Sequence, residues 1–304
     1  MNKFAEGIVT ALITPLSKSG ELCVECLDSL LGFQIGRGVS GLFLTGTYGE
    51  GVILPRRVKE EVYRRALELA GSKIYLLPHV GTADIEAVVS LARAARDVGY
   101  EAVSTLGPIY HKPTRRGLVE YFEYVATKAD VKVVIYNNKG RQGYNISPDD
   151  FEEIVRNVPH VIGLKDTSYD VDQMLEYYER FGSRYLIAGA GDSLLFYTFA
   201  LGIPLHICGI SNALPELAVE LYRSVSRGNL KRALGLQYSI LKIRKVVNKL
   251  GVESQVVLRE VLKWRGLDLG YPPVALRASL DAKVLEDLRK TVEAVYSEQL
   301  GAKL

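Results

Sequence analysis

Cysteine is almost missing from this 304-residue chain, which carries only Cys23, Cys26 and Cys208. So small and odd a number excludes a dense disulfide framework and fits a reducing compartment. Cys23 and Cys26 form a C-x-x-C, yet none of the four histidines, His79, His111, His160 and His206, is spaced to complete a zinc site with them. The expectation is two unbridged thiols at neighbouring positions of the first helix, and no metal. Methionine (2) and tryptophan (1) are scarce too, and Asn and Gln are few; depletion of thermolabile side chains is a trait of heat-adapted proteins.

A one-sided charge is also missing. The 38 Lys and Arg against 35 Asp and Glu leave a net charge of only +3, dispersed along the chain, so nothing points to nucleic acid. No long apolar run survives inspection: the most membrane-like stretch, Leu186 to Ile210, is interrupted by Asp192, Pro204, His206 and several glycines, and reads as strand, helix and strand. The opening MNKFAEGIVTALITP has no small-residue cleavage pattern. A cytoplasmic protein without a membrane span is expected.

What the sequence does have is 48% hydrophobic residues, enough for one large core. Short β-like runs alternate with longer helical patterns. The strands are expected at 8–12, 41–45, 74–78, 101–105, 132–136, 161–164, 185–189 and 203–207. The helices between them are expected at 24–36, 56–70, 84–98, 115–128, after Ser147, 171–180 and 193–201. Val58, Val62, Ala66, Leu69 and Ala70 share one face of a 3.6-residue period. Ser147, Pro148, Asp149 and Asp150 mark a helix start by N-cap, N1 proline and first-turn acids. Eight βα units in about 220 residues imply parallel pairing and a closed (β/α)8 TIM barrel. From Leu214 onward only helices are expected, at 215–225, 230–250, 254–265 and 282–300. The division is a barrel over 1–225 and a C-terminal helical extension over 226–304, packed as part of the same unit.

The apolar run Val161 to Leu164 delivers Lys165 and then turns polar at Asp166-Thr167-Ser168. A lysine with its stem among apolar neighbours keeps more free amine, the form that attacks a carbonyl. In a TIM barrel, catalytic groups come from the C-terminal ends of several strands. That places Thr47, Tyr110, Tyr136 and Lys165 around one mouth. Singly, each could serve a turn or a core edge; together they form a candidate constellation.

Several segments resemble one family in order and in register from about Gly7 to Pro273. Gly46-Thr47-Tyr48-Gly49-Glu50 resembles G-[TS]-T-G-E, Pro108 to Pro113 resembles P-Y-Y-N-K-P, Tyr136-Asn137 resembles the Y-N after strand 5, and Gly163-Leu164-Lys165-Asp166 resembles G-[IV]-K-[DE]. The chain is thereby identified as similar to the Schiff-base aldolases that include dihydrodipicolinate synthase, N-acetylneuraminate lyase and 2-keto-3-deoxygluconate aldolase. The resemblance implies an imine between Lys165 and pyruvate, proton transfer by Tyr136 linked through Thr47 to Tyr110, and no metal or organic cofactor. It places the substrate near Gly46, Tyr48, Arg141, Gly191 and Ile207. It also implies a homo-oligomer, a dimer or a tetramer, in which Tyr110 enters a neighbouring subunit's site.

Two departures stand out. The second threonine of the first motif is Tyr48, and the first tyrosine of P-Y-Y is Ile109. Arg141 falls where the synthase's arginine takes the carboxylate of aspartate semialdehyde, and a guanidinium suits that role. The leading expectation is a dihydrodipicolinate-synthase-like enzyme of lysine biosynthesis condensing pyruvate with that aldehyde. The alternatives are a 2-keto-3-deoxy sugar acid aldolase and, from another class, a keto-acid-binding barrel without turnover.

Overall fold

A computed structural model describes residues 6–304; the first five residues of the expected barrel segment lie outside that range. The eight strands are β1 (Gly7–Ala11), β2 (Gly41–Leu44), β3 (Tyr75–Pro78), β4 (Ala102–Leu106), β5 (Lys132–Asn137), β6 (Val161–Asp166), β7 (Leu186–Ala190) and β8 (Leu205–Cys208). All their pairings are parallel, in the order β3-β2-β1-β8-β7-β6-β5-β4. The remaining seam closes through a parallel bridge between His79 and Ser104, with Val80 N–H donating to the Ser104 carbonyl at 2.8 Å. The result is a (β/α)8 TIM barrel.

Each strand buries both faces, as a parallel sheet wrapped in helices must. Val9, Ala11, Phe43, Leu77, Leu106, Val134, Ala188 and Ile207 fill the barrel interior. The residues between them, among them Ile8, Leu42, Leu44, Leu76, Val133, Ile135, Leu164 and Ile187, pack outward against the helices. This two-residue period decides which way Lys165 points. Leu164 faces outward, so Lys165 faces inward.

The helices are α1 (Val24–Gly36), α2 (Arg56–Ala70), α3 (Ile85–Val98), α4 (Arg115–Ala129), a single turn α5 (Lys139–Gln142), α6 (Pro148–Asn157), α7 (Val171–Phe181), α8 (Leu195–Ala200), α9 (Pro215–Ser226), α10 (Leu230–Lys249), α11 (Ser254–Trp264) and α12 (Ala282–Leu300). The start of α6 is the expected one: the Ser147 hydroxyl accepts from Asp150 N–H, and the Asp150 carboxylate accepts from Ser147 N–H. The stretch 186–210 is strand, helix and strand, and among the described residues no helix is long and apolar enough to cross a membrane.

Two sequence expectations need correction. Cys23 and Cys26 are joined in a disulfide. Cys23 is the N-cap of α1 and Cys26 lies in its first turn, with their Cα atoms 5.3 Å apart, inside bridging range. The odd thiol is the buried Cys208. Second, β6 does not end at Leu164; pairing continues through Lys165 and Asp166 because β5 and β7 run on beside it.

The C-terminal helices reach back over the barrel mouth. Arg259 of α11 donates to both carboxylate oxygens of Glu50, in the loop after β2, at 2.9 and 2.8 Å, and both side chains are buried. From α10, Gln237 accepts from Phe196 N–H and donates to the Asp192 carbonyl. Removing one partner of such a buried pair leaves an uncompensated charge, which costs about 3–5 kcal/mol.

Candidate active site

Strand register builds the centre of the site. Lys165 on β6 stands opposite Tyr136 on β5 and Ala188 on β7. Its Nζ lies 3.7 Å from the centroid of the Tyr136 ring and 4.0 Å from that of Phe43. Lys165 is buried, and burial pushes its amine below the ordinary lysine range despite the opposing effect of Tyr136. The Tyr136 hydroxyl lies 3.2 Å from the Thr47 hydroxyl and accepts from Asn138 Nδ2 at 2.8 Å. Burial alone would raise the Tyr136 phenol. The Lys165 charge and the hydrogen bonds from Thr47, Lys165 and Asn138 outweigh it and hold the phenol below the usual range. Amine and phenol are thus both held below their ordinary ranges, and in contact they titrate as a coupled pair.

A cavity of about 300 Å³ opens above this pair at the C-terminal ends of the strands. Among the sequence-expected residues, Thr47, Tyr48, Tyr136, Arg141, Lys165, Gly191 and Ile207 line it. Gly46 does not; it is buried behind Phe43, and a Cβ there would meet the Phe43 ring at 2.3 Å. Tyr110 stands apart as well: it is 90% exposed, takes a positive φ of 75°, and packs its ring edge-to-face with His111. Within one chain, then, Tyr110 does not join the other three.

Tyr48 crosses the mouth instead of pointing at Lys165. Its hydroxyl donates to Asp192 at 3.2 Å. Its ring lies where a Cβ on Gly209 would sit, 2.0 Å from that position, so glycine is required there. Arg141 enters from α5, but its Nη2 already holds Glu253 at 2.6 Å. Its side chain is half exposed.

Asn138, Asp192, Arg244 and Glu253 also line the cavity, and sequence reasoning missed all four. Asp192 accepts from Gly209 and Ile210 N–H at 2.8 and 2.9 Å and pairs with Arg244. Asn138 adjoins the Tyr136-Asn137 motif, and Asp192 follows Gly191 just past the end of β7, so each had a local signal. Arg244 and Glu253 come from the helical extension and had none. Asn137 holds the loop carrying Arg141: its amide donates to Asp166 and Asn145, and its carbonyl oxygen accepts from Ile146 N–H.

His79 and His206 are both buried and both pushed down to about 3, chiefly by desolvation, so they are neutral imidazoles. Among the described residues, no group of three His, Cys, Asp or Glu side chains is placed to hold a metal ion.

The chain matches the Dihydrodipicolinate synthetase family over residues 4–295. It is 30% identical over 254 residues to 4-hydroxy-tetrahydrodipicolinate synthase of Thermotoga sp. (strain RQ2), covering 83% of this chain and 85% of the relative. The crystal structure of dihydrodipicolinate synthase from Aquifex aeolicus matches with a TM-score of 0.86 at 26% identity, over 95% of this chain and 97% of that one. Wild-type Ruminococcus gnavus sialic acid aldolase has the same fold, with a TM-score of 0.92 at 24% identity over 97% of this chain and 99% of that one. An inward-facing lysine on the sixth strand and a match running almost end to end agree: the chain belongs to the dihydrodipicolinate synthase family, and it is an enzyme of the class I aldolase and lyase type.

Proposed function

We propose that the enzyme forms an imine between Lys165 and pyruvate and condenses the resulting enamine with L-aspartate semialdehyde, as a 4-hydroxy-tetrahydrodipicolinate synthase of lysine biosynthesis. The observation that carries the reading is the buried Lys165 amine beside the Tyr136 hydroxyl, itself bonded to Thr47. The neutral amine attacks the keto carbon. Tyr136 then returns a proton to the carbinolamine oxygen, water leaves, and the iminium draws electrons from C3 so that a C3 proton is lost.

The pyruvate carboxylate has a ready place. Thr47 and Tyr48 sit at the cavity, and their backbone N–H groups donate no hydrogen bond within the described residues. Two adjacent free N–H groups suit an anion. Tyr48 therefore does not abolish pyruvate binding by this route, though it replaces a side-chain contact.

A second reading is supported by one specific contact. Because Glu253 already engages Arg141, a carboxylated acceptor must displace or share that pair, which a sugar aldehyde need not do. On that reading the enzyme is a 2-keto-3-deoxy sugar acid aldolase. Initial rates with pyruvate and aspartate semialdehyde, glyceraldehyde or N-acetylmannosamine decide between the two. The synthase reading expects aspartate semialdehyde to give the highest kcat/KM, and a higher value for either sugar aldehyde overturns it.

The protein is further proposed to act in the cytoplasm, with the segments 1–225 and 226–304 forming one unit. We also propose that it is a homo-oligomer. The exposed Tyr110 is the group that would complete a neighbouring subunit's site.

A further inference from the structure

The Lys165 nitrogen is buried without an anionic partner. The groups acting on it electrostatically are the Tyr136 phenol and the Cys208 thiol, with no carboxylate among them. Adjacent Asp166 is turned away, its carboxylate taken by Ser168 and Asn137 at 2.6 and 2.8 Å. Asp192 is held by two backbone N–H groups and Arg244. Besides its hydrogen bond with the Tyr136 phenol, the nitrogen meets two aromatic faces, Tyr136 at 3.7 Å and Phe43 at 4.0 Å. Those two rings meet edge-on, 5.6 Å apart at 80°.

Phe43 is fully buried on β2, and its ring is clamped. His79 lies 5.6 Å from it, and Gly46 leaves room for its edge, since a Cβ there would overlap the ring. The glycine of the Gly46-Thr47 motif is thus explained by Phe43 and not only by the turn.

We propose that Phe43, with the ring of Tyr136, forms a π cradle that positions the Lys165 nitrogen and stabilises its cationic states in place of a carboxylate. An aromatic face attracts a cation, and more strongly where water is excluded. The cradle acts on particular species. Neutral amine plus carbonyl plus one proton gives iminium and water, and loss of a C3 proton then gives a neutral enamine. The ammonium and the iminium carry the charge at Nζ; the amine and the enamine do not. A carboxylate in the same place would bind the ammonium far more tightly and suppress the free amine, whereas a π face offers a weaker attraction compatible with attack on a carbonyl.

This inference rests on the Schiff-base reading of Lys165, and its test separates the two. Phe43 is replaced by phenylalanine carrying one, two or three ring fluorines, which drains the π face while keeping the shape. Each enzyme is treated with pyruvate and borohydride across pH, and the adduct on Lys165 is counted by mass spectrometry. The pyruvate concentration giving half-maximal trapping is expected to rise with each fluorine, by about tenfold in all for the trifluoro ring. The onset of trapping is expected to move to lower pH in the same order, because the ammonium also loses support. Phe43→Leu, which fills space without a π face, should fall at or beyond the trifluoro end. A packing defect would change the melting temperature without producing that ordered series. If unsubstituted enzyme is trapped at Lys165 while the fluorinated series is flat in both readouts, the cradle is overturned and the Schiff base stands. If the unsubstituted enzyme is not trapped at Lys165, both fall.

Discussion

Tyr136→Phe removes one oxygen from the centre of the site and leaves the ring. The ring still faces Lys165, so the amine keeps its position. What is lost is the 3.2 Å contact with Thr47 and the acceptor of the 2.8 Å bond from Asn138. Asn138 is only 6% exposed, so its stranded N–H costs about 1–3 kcal/mol of stability. For a chain of this length that is a fall of only a few degrees in Tm. Catalysis should suffer far more. A positioned acid–base group contributes roughly 10²–10⁴-fold, equivalent to about 3–5 kcal/mol of barrier. The expectation is therefore a kcat reduced by that factor in a folded enzyme, with slow but still detectable borohydride trapping of pyruvate. Steady-state kinetics beside a thermal melt makes the comparison. A folded Tyr136→Phe enzyme with kcat within about threefold of the wild type would refute the proton-transfer role, since the smallest expected effect is about a hundredfold.

Three further outcomes follow from other contacts. Arg141→Ala should cut kcat/KM for aspartate semialdehyde by about 2–5 kcal/mol if the carboxylate pair is buried on binding, with pyruvate trapping little changed; an equal kcat/KM points to the sugar-acid reading. Mixed oligomers reassembled from Lys165→Ala and Tyr110→Phe chains should exceed the average activity of the parents, because one site in a mixed dimer is then complete; tagged hetero-oligomers that stay at the average place Tyr110 outside the mechanism. Lys59 is 3% exposed, and burial alone pushes its amine down to about 8. The unfolded chain binds that proton up to about pH 10.5, so stability is reduced below pH 8 and recovers as pH rises toward 10.5. Lys59→Met should raise stability at pH 7 by roughly 2–3 kcal/mol, measured by urea unfolding, with the gain shrinking near pH 10.5; a gain independent of pH would show that packing and not charge is responsible.

The barrel was legible because its signals are local. Strands buried on both faces read as short apolar runs, such as Val133 to Tyr136 or Leu186 to Ala190, while Val58 to Ala70 carry the helical period. The site was legible where a motif sits at a strand end: Thr47, Tyr136 and Lys165 converge as expected on one cavity. Contacts made by tertiary packing were not legible. Arg244 and Glu253 reach the mouth from α10 and the turn before α11, more than fifty residues beyond β7, and nothing in their own neighbourhoods sets them apart from surface charges. The engagement of Arg141 by Glu253 was hidden for the same reason. Cys23 and Cys26 misled in another way: their spacing fits two helical positions, and the same spacing at the start of α1 puts them within bridging range. Tyr110 is the reverse case: a motif residue with 90% exposure, its ring against His111, that does not reach the cavity of its own chain.

The most direct test of the account is covalent. The enzyme is incubated with pyruvate, reduced with borohydride, digested and mapped by mass spectrometry. One reduced pyruvate adduct per chain is expected, on the peptide holding Lys165, with activity lost in proportion to its formation and no adduct in Lys165→Ala. An adduct on another lysine, or full activity retained with Lys165 unmodified, would contradict the assignment of Lys165 as the imine-forming residue.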